Sequence, residues 1–251
     1  MRRALLLSLA AVALLCAQSA TAAGDEIRKE KFQSGGKGRT YYLYVPKAVE
    51  ASKTPAPLLL VLHGSGRNGL SLVEKWKGLA AKEDFIVAGP DALGSGGWDV
   101  PRDGPEGLRD LVEELKTKYP IDPRRVYLFG HSAGAGMALM LALLESEYFA
   151  AAALHAGALP QANYDYVESA KRKTPISIIV GTNDPFVPLA VVRATRDKLN
   201  RHGFDARLAE IPQHGHWYYD RAAEFNRTLW DFLKAQKLDA DPKYEQHNFR
   251  E

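Results

Sequence analysis

Short apolar segments alternate with longer segments of helical spacing along most of this chain, and this alternation constrains the fold more than any other feature. Several of the short segments are apolar at every position, which is typical of strands buried on both faces of a sheet. Strands that alternate with helices predict an α/β fold, with a mostly parallel central sheet and helices on both faces. Functional residues are then expected in the loops at the carboxyl ends of the strands.

The pattern resolves into predicted strands and predicted helices with no repeat or linker between them. The predicted strands are Arg39–Val45, Leu58–Leu62, Phe85–Ala88, Val126–Phe129, Ala150–Leu154, Ile176–Val180 and Ala206–Ile211. The predicted helices are Ser71–Lys82, Pro105–Lys118, Ala133–Leu144, Leu189–Asn200 and Arg221–Ala235. We therefore predict one catalytic domain over residues 24–236, followed by a polar tail at 237–251 that we expect to be loose.

The first 23 residues have the three-part pattern of a secretory signal peptide. Two arginines follow the initial methionine, an apolar run extends to Ala17, and small residues surround a cleavage point near position 23. We expect a secreted or periplasmic protein with no stable membrane insertion after cleavage, although an uncleaved anchor is the alternative. Cys16 is the single cysteine and leaves with the peptide, so disulfides and thiolate chemistry are not expected afterwards.

Composition and charge exclude several classes of protein. The 251 residues include 33 lysines and arginines against 30 acidic residues, a formal net charge of +3. This excess is too small to indicate a nucleic acid or a membrane surface as partner. With 46% hydrophobic residues the chain is not a disordered one.

The sequence GHSAG at residues 130–134 carries the strongest chemical signal. It lies between a buried strand and an apolar helix, which is the context that a G-x-S-x-G nucleophile turn requires. The serine of such a turn is held in an exposed, strained position, and the glycines leave room for strand and helix to pass closely. We therefore predict that Ser132 is a nucleophile.

A serine hydroxyl needs a base, and the base needs an orienting acid. Asp184 follows the strand that ends at Val180, and its alternative role is to cap the next helix. His214 and His216 follow the last strand, and we favour His216 as the base with His214 as the alternative. Two histidines without a third ligand do not make a metal site, so we expect neither a metal nor a cofactor.

Backbone N–H groups should stabilise the oxyanion of the intermediate. One is expected from Ala133, directly after the nucleophile, and one from Ser65 in the loop after Leu62. We expect His63 to support that same loop through hydrogen bonds. Trp98, in a glycine-rich loop, and Trp217, beside His216, are candidates for the walls of a substrate pocket, with a packing role as the alternative for Trp98.

Taken together, these motifs resemble those of the α/β-hydrolase superfamily, and within it the small secreted esterases grouped with polyhydroxybutyrate depolymerases and feruloyl esterases. The matching pieces are the apolar strand with HGSG, then GHSAG, GTNDPFVP and HGHW, in the family's order from Leu58 to Trp217. The resemblance implies Ser132 as nucleophile, Asp184 as acid and His216 as base. A serine at position 132 in place of cysteine argues against the dienelactone hydrolase branch.

The sequence thus predicts a secreted serine esterase that acts on small-molecule or polymer-bound esters. Fewer than 20 residues separate Gly157 from Pro175, where a lid would be inserted, so we expect little or no lid domain. Acyl transfer to an alcohol other than water remains open. The alternatives are a serine peptidase of the prolyl-oligopeptidase type, which usually carries a propeller domain, and a non-catalytic binding protein on the same fold.

Overall fold

The computed structural model describes residues 26–94 and 96–247, so the predicted signal peptide and Cys16 lie outside the described residues. The described strands are β1 (Arg28–Ser34), β2 (Lys37–Tyr44), β3 (Ala56–Leu62), β4 (Ile86–Pro90), β5 (Ile121–His131), β6 (Ala151–His155), β7 (Ile176–Gly181) and β8 (Ala206–Ile211). The described helices are α1 (Lys47–Ala51), α2 (Leu70–Glu83), α3 (Val100–Asp103), α4 (Pro105–Lys118), α5 (Ala133–Leu144), α6 (Asp165–Ser169), α7 (Leu189–Arg201) and α8 (Ala222–Leu233).

All eight strands form one sheet in the order β1-β2-β4-β3-β5-β6-β7-β8. The six strands from β3 to β8 are parallel, while β2 runs antiparallel to both β1 and β4. The predicted α/β-hydrolase class, with a mostly parallel sheet, is confirmed. Because the parallel strands share one direction, the loops after β3, β5, β7 and β8 all open at the same edge of the sheet.

Helices cover both faces of the sheet because the side chains of a strand point alternately to opposite sides. In β3, Leu58, Leu60 and Leu62 pack on the face covered by α4, α5 and α7. Leu59 and Val61 pack on the other face, against α2 and α8. Each of these five side chains is fully buried, which explains why the run is apolar at every position.

The short helices α1, α3 and α6 were not predicted, and two further segments differ from the sequence prediction. β1 was not expected, because RKEKFQS is mostly polar and buries only Phe32 and Ser34, as an edge strand can. The expectation of a loose tail is wrong for residues 238–245. The Leu238 N–H donates to the Arg124 carbonyl oxygen, and the Lys243 N–H donates to that of Glu147. The domain boundaries at residues 23 and 236 remain predictions.

The predicted absence of a substantial lid agrees with the structure. Between Gly157 and Pro175 the chain forms only a short 3-10 turn (Gln161–Asn163) and the five-residue α6. Within residues 26–94 and 96–247, none of the helices combines the length and the apolar character needed to cross a bilayer.

Candidate active site

Ser132 lies in the turn that joins β5 to α5, with the backbone angles φ 56° and ψ −120°. A residue with a side chain rarely adopts a positive φ, so the turn is strained in the way that a nucleophile turn requires. Gly134 makes the turn sterically feasible, because a Cβ there would lie 1.9 Å from the Leu62 carbonyl oxygen. The glycine therefore allows α5 to start directly against the end of β3.

The three residues predicted as a triad meet at the carboxyl edge of the sheet. His216 Nε2 lies 2.8 Å from Ser132 Oγ, and His216 Nδ1 lies 2.8 Å from Asp184 Oδ2. The Asp184 side chain is fully buried, whereas that of His216 is 16% exposed. A serine hydroxyl that donates to an imidazole, held in turn by a buried carboxylate, is the arrangement that activates a nucleophile.

Asp184 does not cap the next helix, which was its alternative role, because α7 has Pro188 as its N-cap and no side-chain cap bond; its second oxygen instead binds its own loop. Its Oδ1 accepts hydrogen bonds from the backbone N–H groups of Phe186 and Val187, each at 2.9 Å. This leaves Oδ2 free to face His216. The aspartate therefore orders its own loop with one oxygen and orients the imidazole with the other.

His214, the alternative base, contacts His155 rather than Ser132. Its Nε2 is 3.2 Å from Nε2 of His155, and His155 Nδ1 is 3.1 Å from Nδ1 of His131. Burial, followed by the charge of His216, lowers the pKa of His131 to about 4. Burial also lowers the pKa of His155 and of His214. These three imidazoles are therefore neutral at pH 7, with one ring donating and the other accepting in each pair.

The two expected oxyanion donors lie on neighbouring loops. The N–H groups of Ser65 and Ala133 donate no hydrogen bond to another described residue, and that of Ala133 is at the start of α5, where such groups are unpaired. A Cβ at Gly97 would lie 3.2 Å from Ser65 Oγ and 3.4 Å from the Ala133 side chain. Gly97, with φ +121°, thus brings a third loop against Ser65 and Ala133. No motif in the sequence marked this glycine.

His63 and Trp98 hold the loop that carries Ser65. His63 Nδ1–H donates to the Gly64 carbonyl oxygen at 2.9 Å, and His63 Nε2 accepts from the Ala92 N–H at 3.1 Å. The Trp98 indole N–H donates to the His63 carbonyl oxygen at 2.8 Å. The support expected from His63 is confirmed, and Trp98 has the packing role that was its alternative.

A cavity of about 280 Å³ opens beside Ser132. Its lining residues are Gly64, Ser65, Arg67, His131, Ser132, Phe186, His216, Trp217 and Tyr219. Trp217 is thus placed in the wall as expected, whereas Trp98 is not among the lining residues. Phe186, which is 75% exposed and lies with its ring centre 5.1 Å from that of His216, was missed because nothing local marks an exposed phenylalanine as functional.

A metal ion has no evident ligand set in the described part of the chain. Across residues 26–94 and 96–247, no three or more histidine, cysteine, aspartate or glutamate side chains are grouped as metal ligands. His214 and His216, whose spacing suggested that reading, contact different partners. The site as described is one of acid, base and nucleophile.

Several characterised proteins are similar to this chain. A bifunctional acetylxylan esterase/xylanase of Neocallimastix patriciarum is 33% identical over 159 residues, which cover 59% of this chain and 22% of that protein. A poly(3-hydroxybutyrate) depolymerase of Ralstonia pickettii is 30% identical over 186 residues, which cover 60% and 37%. The chain therefore spans less than half the length of these relatives.

Solved structures show the same fold at lower identity. A thermostable esterase superposes with a TM-score of 0.70 at 21% identity, covering 85% of this chain and 63% of that one. A ferulic acid esterase superposes with a TM-score of 0.68 at 18% identity, covering 84% and 98%.

The family model of the dienelactone hydrolases matches residues 89–241, a region that contains Ser132, Asp184 and His216. The expectation that a serine in place of cysteine argues against this branch is therefore wrong. The match covers more than half of the chain with a serine at position 132, so the identity of the nucleophile does not decide membership. This chain belongs to the dienelactone hydrolase family.

Proposed function

We propose that this protein is a serine esterase that hydrolyses carboxylic esters through an acyl-enzyme. The observation that carries the proposal is the continuous contact from Asp184 through His216 to the strained Ser132, with both distances at 2.8 Å. A binding protein on this fold has no need for all three side chains in that order. The names of the relatives, which include esterases and a depolymerase, support the same reaction class.

In the proposed reaction, Ser132 Oγ attacks the ester carbonyl carbon while His216 Nε2 takes the hydroxyl proton. Asp184 accepts from His216 Nδ1–H and stabilises the imidazolium that forms. The N–H groups of Ser65 and Ala133 donate to the oxyanion of the tetrahedral intermediate. His216 then protonates the departing alcohol, and the acyl group remains on Ser132.

Water completes the cycle by the same route. His216 takes a proton from the water, the hydroxyl attacks the acyl carbonyl, and the acid leaves as Ser132 recovers its proton. An alcohol in place of water would give acyl transfer instead. The chemistry of these side chains requires no cofactor.

An open site is the basis for proposing small-molecule and polymer-bound esters as substrates. Phe186 and Trp217 are 75% and 46% exposed at the cavity, so large apolar surface is available to a ligand outside the reacting centre. An exposed aromatic wall accepts the flat face of a bulky acyl group or of a polymer chain. Secretion or export to the periplasm, expected from the first 23 residues, would bring the enzyme to such substrates.

Hydrolysis of p-nitrophenyl acetate and butyrate by the purified protein, beside a Ser132→Ala variant, tests the proposal. We expect turnover by the parent and none above background by the variant. Circular dichroism of both proteins establishes that the variant is folded. A folded parent that hydrolyses neither ester and does not react with a fluorophosphonate contradicts the proposed function.

A further inference from the structure

Three histidines that the proposed reaction does not use form a continuous chain beside the active site. His131 Nδ1 lies 3.1 Å from His155 Nδ1, and His155 Nε2 lies 3.2 Å from His214 Nε2. The chain begins at the wall of the cavity, since His131 is one of its lining residues, and it ends at the partly exposed His214. The fold thus places a second imidazole, besides that of His216, against a ligand in the cavity.

The backbone next to each of these histidines has an uncommon conformation. Of the four described non-glycine residues with a positive φ, three adjoin a histidine of the chain. They are Ser132 after His131, Ala156 after His155 and Gln213 before His214, with φ of 56°, 55° and 58°. A residue held at a positive φ costs free energy and persists only where the surrounding structure fixes it. The turns therefore fix the backbone from which each of the three rings projects.

Only one ring nitrogen of His131 is available to a ligand. Nδ1 faces His155, so the nitrogen left for the cavity is Nε2. A Cβ at Gly64 would lie 3.3 Å from His131 Cδ2, the carbon bonded to Nε2, and 3.4 Å from Ser132 Cβ. This edge of the ring and the nucleophile therefore border the same point of the cavity.

The chain favours the form of His131 in which Nε2 is a hydrogen-bond acceptor. Burial and the charge of His216 lower the pKa of His131, and a hydrogen bond with the His155 backbone opposes this lowering. A carbonyl oxygen can only accept, so the ring proton is held on Nδ1, the nitrogen that faces His155. His155 Nε2–H then donates to His214 Nε2. The His131 Nε2 atom keeps its lone pair and presents it to the cavity.

His131 lies on the side of the site where the alcohol leaves. His216 protonates the departing alcohol, and the His131 ring is its neighbour, with ring centres 5.1 Å apart and planes inclined by 39°. The water that deacylates the enzyme uses the same nitrogen of His216, so it occupies the place that the alcohol leaves. One water can bridge two imidazoles at this separation, because each hydrogen bond spans about 2.8–3.0 Å.

Resting on the proposed function, we propose that His131, held by His155, accepts a hydrogen bond from the deacylating water and thereby favours water over alcohols as the acyl acceptor. One hydrogen of the water leaves as a proton to His216 Nε2 while the oxygen forms its bond with the acyl carbon. The other hydrogen stays on the oxygen and donates to His131 Nε2. The bond between the acyl carbon and Ser132 Oγ then breaks, Oγ takes the proton from His216, and the carboxylic acid leaves.

A simple alcohol cannot make both contacts. Methanol gives its one hydroxyl hydrogen to His216, and a methyl group stands where the second hydrogen of water would be. The lone pair of His131 then has no donor in the transition state. The contact therefore lowers the barrier for transfer to water and not for transfer to methanol.

Competition between water and methanol for the acyl-enzyme tests the inference. The parent and its variants turn over p-nitrophenyl butyrate in buffer with a fixed share of methanol, and gas chromatography measures butyric acid and methyl butyrate at early times. The measured quantity is the ratio of acid to methyl ester. Stopped-flow release of p-nitrophenolate gives the acylation rate separately. A structural disturbance of Ser132 or His216 slows transfer to both acceptors alike, so it leaves the ratio unchanged.

Three variants, each checked for folding by circular dichroism, separate the water contact from packing. His131→Phe keeps a flat ring but removes the acceptor, so the ratio should fall about three- to tenfold, the effect of one hydrogen bond. His131→Gln should restore part of the ratio, because its amide oxygen can accept from water. His202→Gln is the control for loss of a histidine, since His202 follows α7 and is not among the residues described as lining the cavity. It should change neither the ratio nor the acylation rate.

The contrary results are distinguishable. If folded His131→Phe has the same ratio as the parent, or if neither protein forms methyl butyrate, His131 does not select water and the esterase proposal stands. If the folded parent releases no p-nitrophenolate, the proposed function fails and the inference about His131 fails with it.

Discussion

Replacement of Asp184 by asparagine separates the two tasks that the structure gives to its two oxygens. The remaining carbonyl oxygen still accepts from the N–H groups of Phe186 and Val187, so the loop keeps both of these hydrogen bonds. The new NH₂ group lies where Oδ2 stood, 2.8 Å from His216 Nδ1. Because two N–H groups cannot bond to each other, the imidazole must carry its proton on Nε2, where it can no longer accept the proton of Ser132.

The expected loss is large for activity and small for stability. The new NH₂ group donates to the unprotonated Nδ1, so the two side chains stay hydrogen-bonded, but the negative charge that stabilises the imidazolium is lost. The reversed tautomer adds to this, and together they predict a fall in kcat of roughly 10⁴-fold, or about 5 kcal/mol. Asp184→Ala also removes the two hydrogen bonds to the loop N–H groups and should lower the free energy of unfolding by about 1 kcal/mol more than Asp184→Asn.

The assay combines p-nitrophenyl acetate hydrolysis with urea unfolding of the parent and of both variants. Asp197→Asn, at an exposed carboxylate on α7, is the matched control and should change neither quantity appreciably. The reasoning is refuted if Asp184→Asn keeps kcat within tenfold of the parent, because the tautomer of His216 would then not depend on this residue.

Two further perturbations have specific expected outcomes. Gly97→Ala places a methyl group 3.2 Å from Ser65 Oγ at φ +121°, so kcat/KM should fall about tenfold or more from strain of roughly 1–3 kcal/mol beside the oxyanion donors. Gly96→Ala, where a Cβ meets nothing within 4 Å, is its control, and equal activity of the two variants would contradict the placement of this loop. Acid should destabilise the fold through the buried histidines, because a pKa lowered in the folded state gives stability that is lost as pH falls below the unfolded value near 6.5. With a folded pKa of about 4, His131 alone predicts a loss of about 2 kcal/mol between pH 7 and pH 5, and His155 adds in the same direction. A free energy of unfolding that stays constant over this range in urea titrations would contradict the assignment of His131 and His155 as buried and neutral.

The sequence predicts two kinds of element: strands that are buried on both faces of the sheet and helices that bury one continuous apolar face. β3 and the Val126–Phe129 part of β5 are apolar at successive positions because helices cover both sides of the sheet at its centre. The edge strand β1 escapes prediction because it needs only one buried face, and its sequence RKEKFQS shows no alternation of apolar and polar residues. The ordered part of the tail was missed for a related reason. Backbone hydrogen bonds hold it, and these leave no apolar pattern in the sequence.

Within the site, residues in motifs are predictable and residues brought together by the fold are not. Ser132, Asp184 and His216 each follow a strand in the expected chain order, so topology alone indicates that they meet. The contact between His131 and His155 joins positions 24 residues apart through ring nitrogens, and no local spacing encodes such a contact. The contact of Arg67 with the Trp217 ring is likewise not predictable, because the two residues lie in different loops at the edge of the sheet.

The most direct test of the central claim is the site of covalent labelling by a fluorophosphonate, measured by intact-protein mass spectrometry followed by peptide mapping. An activated serine attacks phosphorus, displaces fluoride and keeps the phosphonyl group, whereas an ordinary serine does not react. We predict a single adduct on the peptide that contains Ser132, with none in folded Ser132→Ala or after unfolding of the parent in urea. No adduct on the folded parent, or an adduct on another serine, would contradict the assignment of Ser132, His216 and Asp184 as the catalytic groups.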